Sequence, residues 1–199
     1  EEDEADEQGV GGLAAQGGIL TPADLVAYQP KRRAPLTGRF AGYEIVTMPP
    51  PSAGGSGLLQ MLGYVERARK QGELTQGYAS VKAVHAIAQG MILAFNDRAR
   101  VFGDPDFTSV PVSELLDAKY LDSRWKAFDG NKVFTPALSS APAREGTHTT
   151  HLSVVDAQGN AVALTTTVND NFGSGFVPPG TGVVMNNEMD DFSVEPGVP

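Results

Sequence analysis

Helix-like and strand-like patterns occupy different parts of this 199-residue sequence, and an irregular segment separates them. Apolar residues recur at the spacing of amphipathic helices in three stretches before the break, residues 58–65, 78–99 and 112–128. Residues 130–148 lack that periodicity and carry prolines and serines, which is typical of an exposed linker. Strand-forming residues follow. The order of these patterns predicts a domain of the α/β (α+β) class.

Two strands are predicted directly after the linker, over residues 150–156 and 160–168, and a turn that contains glycine joins them into a hairpin. A further strand is predicted over about residues 182–186. Before the linker, residues 42–48 are rich in strand formers, and three prolines end that strand. A threonine followed by proline predicts a short helix over about residues 22–28.

In the second predicted helix, the residues expected on the buried face are Val81, Val84, His85, Ala88, Ile92 and Phe95. The glycine-rich run at residues 54–57 is expected to precede the first predicted helix. Such a run could hold an anion at a helix N-terminus. The sequence favours the simpler interpretation, in which the glycines let two backbone segments pack closely.

The formal net charge is −9 at pH 7, and several of the acidic residues lie at the start of the chain. The acidic side chains within residues 1–8 repel one another, so this segment is expected to form a disordered lead-in. Elsewhere the charges are mixed, and the absence of a basic stripe argues against a nucleic-acid partner. The sequence has no run of about 20 apolar residues, so no transmembrane helix is predicted.

The chain has no cysteine, so a thiol nucleophile is excluded. Its three histidines are His85, His148 and His151. His85 falls within a predicted helix, where a satisfied core histidine is the simpler interpretation. Neither a metal site nor a cofactor is therefore predicted.

Threonines stand at the matching ends of the two hairpin strands. Because side chains alternate along a strand, one polar face is expected from each strand. The residues on these faces are Thr149, His151 and Ser153, and on the partner strand Thr165, Thr167 and Asn169. A threonine hydroxyl can act as a nucleophile if a base lies beside it, and the α-amine released by a chain cut is such a base. Threonine also suits strands without any chemical role, and the pattern alone favours that interpretation.

Three carboxylates, Glu188, Asp190 and Asp191, lie close together near the end of the sequence. Carboxylates of this kind can hold a substrate ammonium group through charge-assisted hydrogen bonds. A hydrated turn explains the cluster equally simply, and the cluster taken alone favours the turn.

Five motifs, in this order along the chain, resemble the γ-glutamyltransferase (glutathione hydrolase) family of N-terminal-nucleophile enzymes. The motifs are residues 47–55, 102–107, 149–156, 169–175 and 186–193. The resemblance extends from about residue 11 to residue 199. It implies a four-layer αββα sandwich that is incomplete in this chain, with helices before Gly130 in the outer layers and strands after Thr149 in the central sheets.

The resemblance also implies a precursor that cleaves itself between His148 and Thr149. Residues 1–148 would be the last part of a large subunit and residues 149–199 the first part of a small subunit, and the two would associate after cleavage. Thr149 would then attack γ-glutamyl amides such as glutathione, with its own α-amine as the base. The resulting ester would pass its acyl group to water, an amino acid or a peptide.

The resemblance also assigns roles to four further residues, one beside the nucleophile and three in substrate binding. Thr167 matches the threonine that orients the nucleophile, whereas Asn169, Glu188 and Asp191 match residues that bind the glutamyl α-amino and α-carboxylate groups. The arginine that binds the substrate carboxylate is expected upstream of Glu1, and the paired serines and oxyanion-hole glycines downstream of Pro199. Oxyanion donors are worth about 10²–10³ in rate, so this chain alone is expected to be inactive.

The sequence leaves two alternatives open. One is a related acylase of the same fold, which acts on a glutaryl β-lactam side chain (a cephalosporin acylase) or on poly-γ-glutamate. Glu188 and Asp191 weigh against a glutaryl substrate, because it has no ammonium group. The other is a non-catalytic binding or scaffold segment. Family habit implies a periplasmic, secreted or cell-surface location.

Overall fold

The structure is a computed structural model that describes residues 21–77, 79–133, 149–177 and 182–191. The predicted acidic lead-in, most of the predicted linker and His148 lie outside these residues. The chain divides into two compact units. A helical unit contains the described residues between 32 and 133, and a hairpin unit contains those between 21 and 31 and from 149 onward.

The described elements combine helices with short antiparallel strands, which confirms the α+β class. They are α1 (Pro22–Ala27), β1 (Leu36–Phe40), β2 (Tyr43–Thr47), α2 (Ala53–Lys70), α3 (Val81–Val101), α4 (Val112–Leu115), α5 (Ala118–Trp125), β3 (Thr150–Val155), β4 (Ala161–Thr166) and a 3-10 helix (Glu188–Asp191). Within the described residues, β1 pairs with β2 and β3 pairs with β4. None of the described helices combines the length and apolar character needed to cross a membrane.

The first long helix, α2, begins five residues earlier than predicted. The Ser52 side chain accepts a hydrogen bond from the Gly54 N–H at 3.3 Å and so caps a helix that starts at Ala53. A Cβ atom on Gly55 would lie 1.9 Å from the Met48 carbonyl oxygen. The glycine run therefore lies within the helix, where it allows close contact with the chain that leaves β2, as the close-packing interpretation expected. β1, the partner of β2, was not predicted.

The predicted buried face of α3 is wrong. Val81 is 86% exposed and Val84 is 55% exposed, whereas the residues buried along this helix are Ala83, Ala86, Gln89, Gly90, Leu93, Ala94, Asn96 and Asp97. Small residues line this side because α2 approaches closely: a Cβ atom on Gly90 would lie 3.1 Å from Cβ of Tyr64. Close helix packing thus overrides the apolar periodicity.

The helix predicted over residues 112–128 is two helices, α4 and α5. Asp117 adopts an extended backbone conformation between them. Its carboxylate accepts hydrogen bonds from the N–H groups of Lys119 and Tyr120 at 2.8 and 3.2 Å, and so caps α5. The aspartate ends the periodic run because a side-chain cap competes with continuing the helix.

Aromatic rings dominate the core of the helical unit. Trp125 stacks on Tyr64 at 5.6 Å and on Phe128 at 4.3 Å between ring centroids, and its indole N–H donates to Gln71 Oε1 at 3.0 Å. The buried members of this core are Tyr64, Ala68, Ala86, Leu93, Leu121 and Trp125. His85 is partly buried, with Nε2 3.0 Å from the Asp129 carbonyl oxygen, which confirms the interpretation of a satisfied structural histidine.

A charged group lies inside this unit. Asp97 is 1% exposed, and its carboxylate accepts hydrogen bonds from Gln60 Nε2 and from the Tyr120 hydroxyl, both at 2.9 Å. The Arg124 guanidinium lies 3.1 Å from the same carboxylate. Burial, followed by the hydrogen bond to Asp97, raises the pKa of Tyr120 above its ordinary value. The cluster joins α2, α3 and α5.

In the hairpin unit, β3 and β4 pair in register from Thr150 opposite Thr166 to Val155 opposite Ala161. The Asp156 carboxylate accepts hydrogen bonds from the N–H groups of Gln158 and Asn160, which hold the predicted turn. The hydrogen bonds from Asn160 lower the pKa of the Asp156 carboxyl. The predicted hairpin is therefore confirmed.

The strand predicted over residues 182–186 is absent from the described part of this unit. Met185 forms backbone hydrogen bonds with Ser174 at 2.9 Å and with Phe176 at 3.0 Å. Residues 171–175 turn on themselves and do not run straight beside this segment. A longer ladder therefore cannot form.

Candidate active site

Two threonine hydroxyls meet at the open end of the β3–β4 hairpin. Thr149 immediately precedes β3 and Thr167 immediately follows β4, so the register that pairs Thr150 with Thr166 places them opposite each other. Thr149 Oγ1 donates a hydrogen bond to Thr167 Oγ1 at 3.2 Å. The alternation predicted from the sequence is confirmed at this end of the hairpin.

The same polar face continues along the hairpin. His151 Nδ1 lies 2.8 Å from Thr165 Oγ1, and its Nε2 lies 3.2 Å from Ser153 Oγ. A hydroxyl can donate or accept, so these two partners satisfy either neutral tautomer of the ring. The pattern of alternation placed His151 on this face without giving it a role.

The backbone turn after β4 determines which hydrogen bonds Thr167 Oγ1 can form. The Asn169 N–H donates to Thr167 Oγ1 at 2.9 Å. A hydroxyl has two acceptor lone pairs and one proton, so the oxygen keeps one lone pair for the Thr149 proton. In the alternative rotamer the Thr167 proton points at Thr149 Oγ1 instead. That rotamer would stabilise negative charge developing on the Thr149 oxygen.

Asn169 has φ +73°, in the left-handed region that asparagine adopts more readily than most residues. Its side chain does not continue the polar face of the strand. Asn169 Nδ2 donates to the Asn187 carbonyl oxygen at 3.2 Å and so connects the turn to the segment before the 3-10 helix.

The acidic residues lie on that 3-10 helix. Glu188 begins it and is partly buried, and its N–H donates to Asn186 Oδ1 at 3.1 Å. Asp190 is exposed, and Asp191 ends the helix. These hydrogen bonds bring Thr149, Thr167 and Asn169 together. The Asn169 side chain then bonds the backbone just before this helix, and no side chain of the helix takes part in that link.

The two asparagines before Glu188 are structural parts of the site that the sequence interpretation did not single out. They lie within the motif at residues 186–193. Their residue type was a usable signal, since asparagine side chains commonly bond backbone groups in turns and at helix starts. Across the described ranges, no three histidine, cysteine or acidic side chains are grouped as metal ligands would be.

The chain is similar to a family of known proteins. The family model described as Gamma-glutamyltranspeptidase matches residues 7–199. The glutathione hydrolase proenzyme of Escherichia coli (strain K12) is 40% identical over 191 residues, which are 94% of this chain and 32% of that protein. The acylase ACY 1 proenzyme of Pseudomonas sp. (strain V22) is 42% identical over 93% of this chain and 32% of that protein.

Solved structures of a γ-glutamyltranspeptidase and of an acylase are also similar to this chain. The γ-glutamyltranspeptidase of Helicobacter pylori aligns with a TM-score of 0.56 and 38% identity, over 63% of this chain and 35% of that one. The cephalosporin acylase of Bacillus halodurans aligns with a TM-score of 0.77 and 28% identity, over 98% of this chain and 34% of that one. The chain spans about a third of the length of the curated relatives it matches. Since the family match covers residues 7–199, the chain belongs to the γ-glutamyltranspeptidase family.

Proposed function

We propose that the full-length protein is a self-cleaving enzyme that hydrolyses glutathione and other γ-glutamyl amides, or transfers their γ-glutamyl group. The observation that carries the proposal is the contact between Thr149 Oγ1 and Thr167 Oγ1 at the head of the hairpin. Membership of the family and the proenzyme names of the relatives support it.

The first reaction would be an internal cut. The Thr149 hydroxyl attacks the carbonyl carbon of His148, the peptide C–N bond breaks, and the hydroxyl proton passes to the departing Thr149 nitrogen. The His148 acyl group is left as an ester on the Thr149 oxygen. Water then hydrolyses this ester to a carboxylate and regenerates the hydroxyl. The cut frees the Thr149 α-amine, whose ordinary pKa of about 8 suits a base near neutral pH.

The second reaction would use the same oxygen on a substrate. The α-amine accepts the hydroxyl proton while Thr149 Oγ1 attacks the γ-glutamyl amide carbon, and the proton passes to the departing amine. The γ-glutamyl ester is then resolved by water, an amino acid or a peptide. Thr167 would hold the attacking oxygen in place.

Substrate binding would involve Asn169, Glu188 and Asp191, which would hold the α-amino and α-carboxylate groups of the glutamyl head. The ammonium group needs anionic partners once it leaves water. The hydrogen bond from the Asn169 side chain to the Asn187 carbonyl oxygen, directly before the helix that begins at Glu188, supports this assignment. No metal or cofactor takes part in the proposed chemistry.

In the wider fold, we propose the four-layer αββα sandwich, with residues 1–148 in the large subunit and residues 149–199 in the small one. One face of the β3–β4 hairpin supports this. Its apolar side chains remain 43–59% exposed within the described residues, as expected for a face that another layer of the sandwich would cover. These side chains are Leu152, Val154, Val162 and Leu164.

A related acylase is the second candidate function. The likeness to the cephalosporin acylase of Bacillus halodurans, over 98% of this chain, favours it. A glutaryl group resembles a glutamyl group that lacks the ammonium. The choice therefore depends on whether carboxylates such as Glu188 bind a cation in the substrate.

Self-cleavage has a direct test. The purified full-length protein should resolve into two bands on a denaturing gel, and N-terminal sequencing of the smaller band should begin Thr149, Thr150, His151. The physical reason is that the Thr149 hydroxyl is held at the head of a strand by Thr167. A single band after prolonged incubation, or a smaller band that starts elsewhere, would contradict the proposal.

Substrate choice is tested with Asp191→Ala. We expect normal self-cleavage but a KM about 10–100-fold higher for a γ-glutamyl anilide, as for the loss of one charge-assisted hydrogen bond. The KM for the matching glutaryl anilide should not change. Asp190→Ala, which removes an exposed neighbouring carboxylate, is the control and should behave as the wild type. Faster wild-type turnover of the glutaryl anilide would instead support the acylase.

A further inference from the structure

Asn187 connects the turn that carries Asn169 with the helix that carries Glu188. Its N–H donates to the Val168 carbonyl oxygen at 3.2 Å. Its own carbonyl oxygen accepts from Asn169 Nδ2 at 3.2 Å and from the Asp190 N–H at 3.0 Å. Its side-chain Oδ1 accepts from the Asp170 N–H at 3.1 Å.

Three of these four bonds reach consecutive residues of the turn, namely Val168, Asn169 and Asp170. Two of those three use the Asn187 backbone and would survive a change of side chain. Only the bond from the Asp170 N–H depends on the Asn187 side chain. That bond fixes the C-terminal side of the left-handed Asn169 residue, while Thr167 Oγ1 holds its N-terminal side.

We propose that Asn187 is a positioning residue, which sets the distance between the Asn169 turn and the 3-10 helix so that both can bind one glutamyl head. This inference rests on the proposed function. Asn187 need not touch the substrate itself. Its side chain holds the Asp170 N–H, and its carbonyl oxygen holds the Asn169 side-chain amide beside the start of the helix.

A positioning role of this kind predicts an effect on substrate binding without an effect on the nucleophile. Thr149 and Thr167 are held by the strand register and by each other, and Thr167 Oγ1 also accepts from the Asn169 N–H. None of these contacts uses the Asn187 side chain. Loss of the Asn187 amide should therefore leave self-cleavage intact. The loss of one neutral hydrogen bond corresponds to about a three- to tenfold change in affinity.

The test uses Asn187→Ala in the full-length protein. We expect the KM for a γ-glutamyl anilide to rise about three- to tenfold, with kcat and the rate of self-cleavage within about twofold of the wild type. Asn187→Asp keeps an acceptor oxygen at the same position and should restore the KM. Asn160→Ala is the matched control, because it removes an exposed asparagine that also bonds a neighbouring aspartate but lies at the far end of the hairpin.

An unchanged KM in Asn187→Ala would overturn the inference, and so would an equal loss of self-cleavage and turnover. If Asn187→Ala does not fold, Asn187→Leu keeps the side-chain volume without the acceptor, and the same comparison applies. Failure of the proposed function is distinguishable from these results, since it would appear as a wild-type protein that neither cleaves itself nor turns over the anilide.

Discussion

Replacing Thr149 with alanine is expected to leave the full-length protein as one uncut chain and to lower γ-glutamyl anilide turnover by about 10⁵–10⁶-fold, as when other covalent catalysts lose their nucleophile. The oxygen that attacks His148 would be absent, so the peptide bond would persist. The base would be absent as well, because the α-amine exists only after the cut. A denaturing gel and an anilide assay measure the two effects separately.

Two variants serve as controls for this change. Thr149→Ser keeps a hydroxyl at the hairpin head, and it should retain both cleavage and turnover at reduced rates. Thr166→Ala removes a strand threonine that lies next in sequence to Thr167 but on the opposite face. It should change neither activity. Full anilide hydrolysis by Thr149→Ala would refute the threonine mechanism.

Replacing Asp97 with alanine is expected to lower the free energy of unfolding by about 3–5 kcal/mol, as when one partner of a buried ion pair is removed. The partly buried Arg124 guanidinium would lose its carboxylate, and the Gln60 amide and Tyr120 hydroxyl would lose an acceptor. Chemical unfolding followed by circular dichroism measures the change. The Thr149→Ala background keeps the protein in one chain, so subunit dissociation does not enter the measurement.

The control for Asp97 is an ion pair of the same unit whose carboxylate is exposed. Asp122 bonds the Arg67 Nε at 2.8 Å, and its side chain is 65% exposed. Asp122→Ala should cost less than about 1 kcal/mol, since the Arg67 guanidinium keeps its hydrogen bonds to the Gly63 and Ala118 carbonyl oxygens. An equally small loss for Asp97→Ala would mean that the buried cluster contributes little to the stability of the helical unit.

The hairpin shows how much of the candidate site could be predicted. A strand has a side-chain period of two, so the spacing of Thr149, His151 and Ser153 determines that they share a face. The turn residues between the strands then determine which residues of β4 lie opposite. The contact between Thr149 and Thr167 follows from these local rules. The assignment of their roles required the resemblance to a family.

The packing of the helices could not be predicted in this way. The apolar periodicity of α3 predicted the wrong buried face, because the side that contacts α2 uses small residues such as Gly90 for close approach. The same periodicity could not reveal that Asp97 is buried. A carboxylate is tolerated there only because Gln60, Tyr120 and Arg124 come from other helices.

The sequence by itself determined the elements that depend on neighbouring residues, namely the β3–β4 hairpin, its turn, and the pairing of Thr149 with Thr167. The tertiary structure alone decided what depends on residues distant in the chain. These features are the buried face of α3, the burial of Asp97, and the hydrogen bond between the Asn169 side chain and Asn187, which are 18 positions apart in sequence. Periodicity is a local property, whereas these contacts depend on how segments far apart in the chain pack and satisfy one another's polar groups.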